Sequence, residues 1–119
     1  MNCIFCKIIN GQIPSYKIYE DDMVYAFLDI NPDSAGHTLI IPKKHFQDLS
    51  DIDDATLNHI MKISKILKNK LEEKLKCDGL TIIQNNGSIQ EVKHFHIHLK
   101  PYYKDNNNLQ IEEVYALLK

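Results

Sequence analysis

The sequence predicts an α+β fold: an antiparallel five-stranded sheet with one long helix and short terminal helices. Three observations carry this. Five short segments with strand character are bounded by turn residues. One long segment between them repeats apolar residues at helical spacing. Strands stand in both halves of the chain instead of alternating one by one with helices, which favours antiparallel pairing with helices on one face. At 119 residues and 44% hydrophobic content the chain is expected to form one domain, 1–119, with a core that needs no disulfides.

Cys3 to Asn10 reads as a short helix stopped by Gly11 and Pro14. Lys17–Glu20 and Met23–Asp29 are strands joined at Asp21-Asp22. Asn31 to Gly36 is loop by composition, and His37–Ile41 is a mostly buried strand ended by Pro42. The long helix runs from Asp54 to Lys76, with Asp53 or Asp54 as its cap and Asp78-Gly79 beyond its end. Leu57, Ile60, Met61, Leu67, Leu71 and Leu75 form its apolar stripe, and His59 is expected in solvent. Leu80–Gln84 is a strand, Asn85-Asn86-Gly87 a turn, His94–Lys100 a strand and Ile111–Leu118 a closing helix.

Charge narrows the function. A net charge of −2 argues against a partner bound through a nucleic-acid backbone. No segment approaches the ~20 apolar residues of a membrane span, and the start of the chain has no secretory pattern, so a cytoplasmic protein is expected. Three Cys outside a secretory context do not suggest a disulfide framework. All 14 basic residues are Lys, and six residues are His. A protein that handles phosphate without Arg lacks the bidentate guanidinium fork and must rely on imidazoles, Lys or backbone N–H groups.

His94, His96 and His98 share one strand face, because alternate residues point the same way, ~7 Å apart. Phe95, Ile97 and Leu99 point oppositely, toward the long helix. Crowded imidazoles oppose one another's protonation, so at least one stays neutral near pH 7. Neutral imidazole serves a nucleophile or a metal ligand. The residues leave three readings open: a solvated polar face, a metal pair, or covalent catalysis by the central His.

His94-Phe95-His96-Ile97-His98-Leu99 resembles the histidine-triad (HIT) motif. The resemblance extends over Cys3–Ile9, Ile13-Pro14, Tyr19–Asp22, Ala26–Ile30, Gly36–His45, Asn85–Gly87 and Gln90, in order, to about residue 101. It is similar to the small nucleotide-binding branch typified by purine nucleoside phosphoramidases. His98 stands where a related transferase branch carries Gln, which places the chain with the hydrolases.

The resemblance implies hydrolysis at the α-phosphorus of a nucleotide, with His96 as nucleophile and a nucleotidyl-histidine intermediate. The His94 backbone carbonyl would set the tautomer of His96, His98 would bond a phosphate oxygen or the proton in transit, and His37 would support the cluster. Gln90 would polarise the leaving atom. Asp29 would accept the ribose hydroxyls, against a plain reading as a strand-end carboxylate satisfied by its own turn. Ile4, Phe5, Phe27 and Ile30 would line the base pocket, with ordinary core as the other reading. Asn85 would contact ribose or phosphate unless it only forms a hairpin turn, and backbone N–H groups around Glu91 and Val92 would meet developing charge. No metal is required at the phosphorus. Two departures stand out: the Gly87–Gln90 stretch is short, with Ile89 where a Gly normally precedes the Gln, and Glu91 stands where some members carry Ser or Thr.

Cys3-x-x-Cys6 is open to redox, zinc or incidental readings, although redox pairs usually follow a strand. Relatives with this CxxC hold zinc with two His, which would be His45 and His94 here, giving a structural zinc on Cys3, Cys6, His45 and His94. Cys77 reads as a small buried hydrophobe. The resemblance also implies a homodimer formed through the long helices and a sheet edge. The expected function is a nucleoside phosphoramidate hydrolase acting on a nucleotide substrate. Its alternatives are a dinucleoside polyphosphate hydrolase and a zinc-stabilised nucleotide-binding module.

Overall fold

The structure, a computed structural model, describes residues 3–119. Its elements in chain order are α1 (Ile4–Ile9), β1 (Lys17–Glu20), β2 (Val24–Leu28), β3 (Thr38–Pro42), α2 (Asp54–Leu75), β4 (Gly79–Gln84), β5 (Ile97–Tyr102) and α3 (Ile111–Leu118). A 3-10 turn, Gly87–Ile89, lies between β4 and β5. The strands form one five-stranded sheet in the order β1-β2-β3-β5-β4, every neighbouring pair antiparallel. Fold class and element order follow the sequence reading.

Both faces of the sheet are covered, so all five residues of β2 and all five of β3 are buried. Side-chain alternation then sorts them. Val24, Ala26, Leu28 and Ile40 join the core beneath α2 and α3, together with Phe95, Ile97 and Leu99. Tyr25, Phe27, Leu39 and Ile41 join a smaller cluster on the opposite face, under Phe5 and Ile8 of α1.

In α2 the Asp53 side chain caps the helix by accepting from the Thr56 N–H at 3.1 Å and the Thr56 hydroxyl at 2.7 Å. The helix ends at Lys76 in the left-handed conformation, φ 55°. Ile60, Ile63, Leu67, Leu71 and Leu75 are its buried stripe. Met61, expected in that stripe, is exposed, and Ile63 takes the place, because one residue of offset turns a side chain ~100° around the axis. Gly36, φ 89°, brings the chain into β3 beneath the end of α2, and a Cβ there would meet Leu75 Cδ1 at 2.5 Å.

Four other expectations are corrected. His59 is half-buried instead of free in solvent: its Nε2 lies 2.7 Å from Asp21 Oδ2, which also accepts from the Tyr19 hydroxyl at 2.6 Å. Burial opposes ionisation of Asp21, but bonds from Tyr19, His59 and the Met23 and Val24 N–H groups prevail and hold its carboxyl well below the usual range. Asn85-Asn86-Gly87 does not close a tight hairpin, since a long connection containing the 3-10 turn separates β4 from β5. The last strand begins at Ile97, later than His94, because the Phe95 N–H donates to the Phe46 carbonyl (2.7 Å) instead of to a neighbouring strand. Cys77 is only half-buried. Among the described residues no helix is long and apolar enough to cross a membrane.

Candidate active site and metal centre

The imidazoles occupy the sheet face opposite α2, beside α1. Their hydrogen bonds fix which nitrogen carries each proton, because a carbonyl oxygen only accepts and a backbone N–H only donates. His96 Nδ1 lies 2.7 Å from the His94 carbonyl oxygen, so Nδ1 carries the proton and Nε2 keeps its lone pair. His94 Nε2 lies 2.8 Å from the Pro42 carbonyl oxygen, so its Nδ1 lone pair is free on the other side. The Asp33 N–H donates to His37 Nδ1 at 3.1 Å, which leaves the His37 proton on Nε2. That Nε2–H donates to His98 Nδ1 at 2.9 Å, so His98 carries its own proton on Nε2. Thus His96 offers a lone pair and neighbouring His98 offers a proton, their ring centroids 4.8 Å apart.

Electrostatics reinforce the neutral forms. Burial lowers the pKa of His96 and of His37. Burial, with His96 and His37 adding to it, lowers that of His98 to about 4. Burial likewise lowers His94 to about 4.

Two adjoining cavities meet at His96 and His98. The first, about 240 Å³, is mostly apolar and includes Ile4, Phe5, Phe27, Ile30, Val92 and Asp29 in its wall. Phe5 stands edge-on to His96 with ring centroids 5.1 Å apart. Phe5 and Phe27 are buried and also serve as core, whereas Ile4 and Ile30 are 46% and 71% exposed and act only as wall. Asp29 combines both sequence readings: Oδ1 accepts from the Asn31 N–H of its own turn at 2.9 Å, while Oδ2 faces His37 Nε2 at 3.7 Å. The second cavity, about 290 Å³, is polar and brings in Asn85 and His37 beside His96 and His98.

Two of the expected catalytic residues, His94 and Gln90, line neither cavity; His94 faces the Cys3 and Cys6 thiols instead. The Gln90 side chain is buried and its Nε2 donates to the Gln47 carbonyl at 2.6 Å, so it ties two loops together. Asn31 and Asp33 line the second cavity without having been singled out from the sequence. Lys100, one of the two Lys that the sequence offers to an anionic phosphate tail, lines it too, two residues beyond His98 on the same strand face.

The four expected metal ligands converge. Cys3, Cys6, His45 and His94 present ligand atoms that all lie within 4.8 Å of one another. His94 Nδ1 is 3.3 Å from Cys3 Sγ and 3.6 Å from Cys6 Sγ, and His45 Nδ1 is 3.3 Å from Cys6 Sγ. A tetrahedral zinc, with Zn–S of ~2.3 Å and Zn–N of ~2.0 Å, wants sulfur and nitrogen ~3.5 Å apart, so the donor set fits zinc. The His94 Nε2–H bond to Pro42 is the outer support that such a ligand uses. Burial and the Cys3 thiol push the Cys6 thiol up to about 11, so zinc would have to displace its proton.

A family profile for the HIT domain matches residues 10–105. The chain belongs to the HIT family. A HIT-like protein of Methanocaldococcus jannaschii is 43% identical to this HIT protein, with 98% of each chain covered. An adenosine 5'-monophosphoramidase of Saccharomyces cerevisiae is 48% identical, covering 90% of this chain and 66% of its own length. A zinc-bound histidine triad family protein of Mycobacterium smegmatis has a solved structure that superposes with a TM-score of 0.92 at 35% identity, covering 99% of this chain and 91% of that one.

Proposed function

We propose that this HIT protein hydrolyses purine nucleoside phosphoramidates at the α-phosphorus, releasing the nucleoside monophosphate and an amine. The observation that carries the reading is the His96 imidazole, fixed by the His94 carbonyl with its Nε2 lone pair free where the apolar and polar cavities meet. The yeast relative's name as an adenosine 5'-monophosphoramidase supports the substrate class.

In this reading the base lies against Phe5, Phe27, Ile4 and Ile30, and the free Asp29 oxygen accepts from the ribose. His96 Nε2 attacks phosphorus, forming a P–N bond to the imidazole as the bond to the leaving nitrogen breaks. The substrate phosphate beside the His37–His98 pair favours the pair's protonated form, and that proton passes from His98 Nε2 to the leaving nitrogen. Water then attacks the nucleotidyl-histidine, frees His96 and returns a proton to His98. A prepositioned imidazole avoids much of the orientation cost that free water meets at an anionic phosphorus. Backbone N–H groups near Glu91 and Val92 meet the developing charge, and no step runs through a metal. Zinc on Cys3, Cys6, His45 and His94 would be a structural clamp, holding the start of α1 against the sheet.

The test is release of AMP from an adenosine phosphoramidate. His96→Asn should lower kcat by at least ~10³-fold, as removal of a covalent nucleophile does elsewhere. Equal release by both proteins would refute the assignment. The same reading includes a homodimer through α2 and the β4 edge, where Ile66 and Ile82 are 50% and 44% exposed. Light scattering should return twice the chain mass, and a monomer mass would overturn the dimer.

A further inference from the structure

The polar cavity carries an unbalanced charge. Asp29, Asp33 and Glu91 line it with Asn31 and Asn85, and Lys100 is its one Lys among the described residues. Lys100 is already committed, its Nζ 2.7 Å from Asp33 Oδ2. Lys93, the other cation close in sequence, donates to the Gly87 carbonyl. The carboxylates differ in engagement. Asp29 is held by Asn31 and faces His37, and Asp33 is paired with Lys100. Glu91 is exposed, has no hydrogen bond or ion pair among the described residues, and lines both cavities at their junction.

The position of this cavity gives the charge a use. His96 lines it, is 4% exposed, and its Nε2 has no partner among the described residues. If the nucleoside fills the apolar cavity, the group across the phosphorus lies in the polar one, against Glu91 and Asp33. A cation there is attracted, and an anion is opposed by the uncompensated Glu91 carboxylate with no free Lys to meet it.

We infer that this cavity is a leaving-group subsite selecting amines that carry a further positive charge, such as diamines or basic amino acids, with Glu91 as the specificity-determining residue. The inference rests on the phosphoramidase reading and assigns the class of its leaving group. The same charge disfavours polyphosphate leaving groups.

Three adenosine phosphoramidates test it, built on 1,3-diaminopropane, propylamine and β-alanine, so that the leaving group ends in an ammonium, a methyl or a carboxylate. kcat/KM should fall in that order, with the first exceeding the last on the order of tenfold at low salt and by less at high salt. Glu91→Gln should bring the ratio of first to last toward one, and Asp33→Asn, which releases Lys100, should lower it too. A ratio within twofold in the unaltered protein, or one unmoved by Glu91→Gln, overturns the subsite. The His96→Ala protein, unable to form the covalent intermediate, supplies the independent arm by calorimetric binding of the same conjugates. Binding in the expected order with no turnover by the unaltered protein keeps the subsite and overturns the hydrolase reading. Binding without that order overturns the subsite.

Discussion

The two faces of the sheet are built to different ends. One is sealed by the 22 residues of α2 together with α3, and its core includes Phe95, Ile60, Leu71 and Leu99, each at most 1% exposed. The other is covered by the six residues of α1, whose Phe5 and Ile8 cap a much smaller cluster. The short cover leaves room for the apolar cavity and for imidazoles beside it. The sheet thus commits one face to stability and keeps the other partly open for chemistry. Alternation along 94–99 serves both at once, with Phe95, Ile97 and Leu99 in the sealed core and His96 and His98 at the cavities.

The largest effect should come from the sealed face. Phe95→Ala should cost about 3–5 kcal/mol in denaturant unfolding. Phe5→Ala should cost less and weaken nucleotide binding more, and equal losses of stability would break the contrast between the faces. Metal removal should act on the open face. Cys3→Ser is expected to lose bound zinc and to loosen nucleotide binding through α1, with α2 still protected in hydrogen exchange, and unchanged zinc content would rule out that centre. The smallest effect concerns pH. Burial lowers His98 from the ordinary 6.5 to about 4, so the unfolded chain binds more protons between those values. Stability from this group is complete above pH 6.5 and is lost as pH falls toward 4, and His37, also lowered by burial, adds in the same direction. A Tm that rises on acidification through that window would contradict the burial of these imidazoles.

What the sequence made legible was local. Alternation at His94–Leu99, the Asp53 cap and the spacing of Leu67, Leu71 and Leu75 each express a backbone period, and the structure follows them. Met61 failed by a single step of the helix, where the stripe's edge depends on packing from α3 and the sheet. Long-range partners were not legible. The tautomer of His94 depends on the Pro42 carbonyl, that of His37 on the Asp33 N–H, and the placement of His59 on Asp21. Gln90 has the spacing of a site residue, but the chain at Gln47 draws its amide away. The resemblance named Cys3, Cys6, His45 and His94 as a ligand set, and the fold brings their ligand atoms within 4.8 Å of one another.

His94 has a consequence for how variants combine. Its Nδ1 faces the two thiols, its Nε2–H holds Pro42, and its carbonyl orients His96. One residue therefore belongs to three networks, its ring and its backbone carbonyl joined through a single Cα. Substitutions on the thiol side and around His96 should consequently be non-additive, with a coupling energy that vanishes when position 94 is altered.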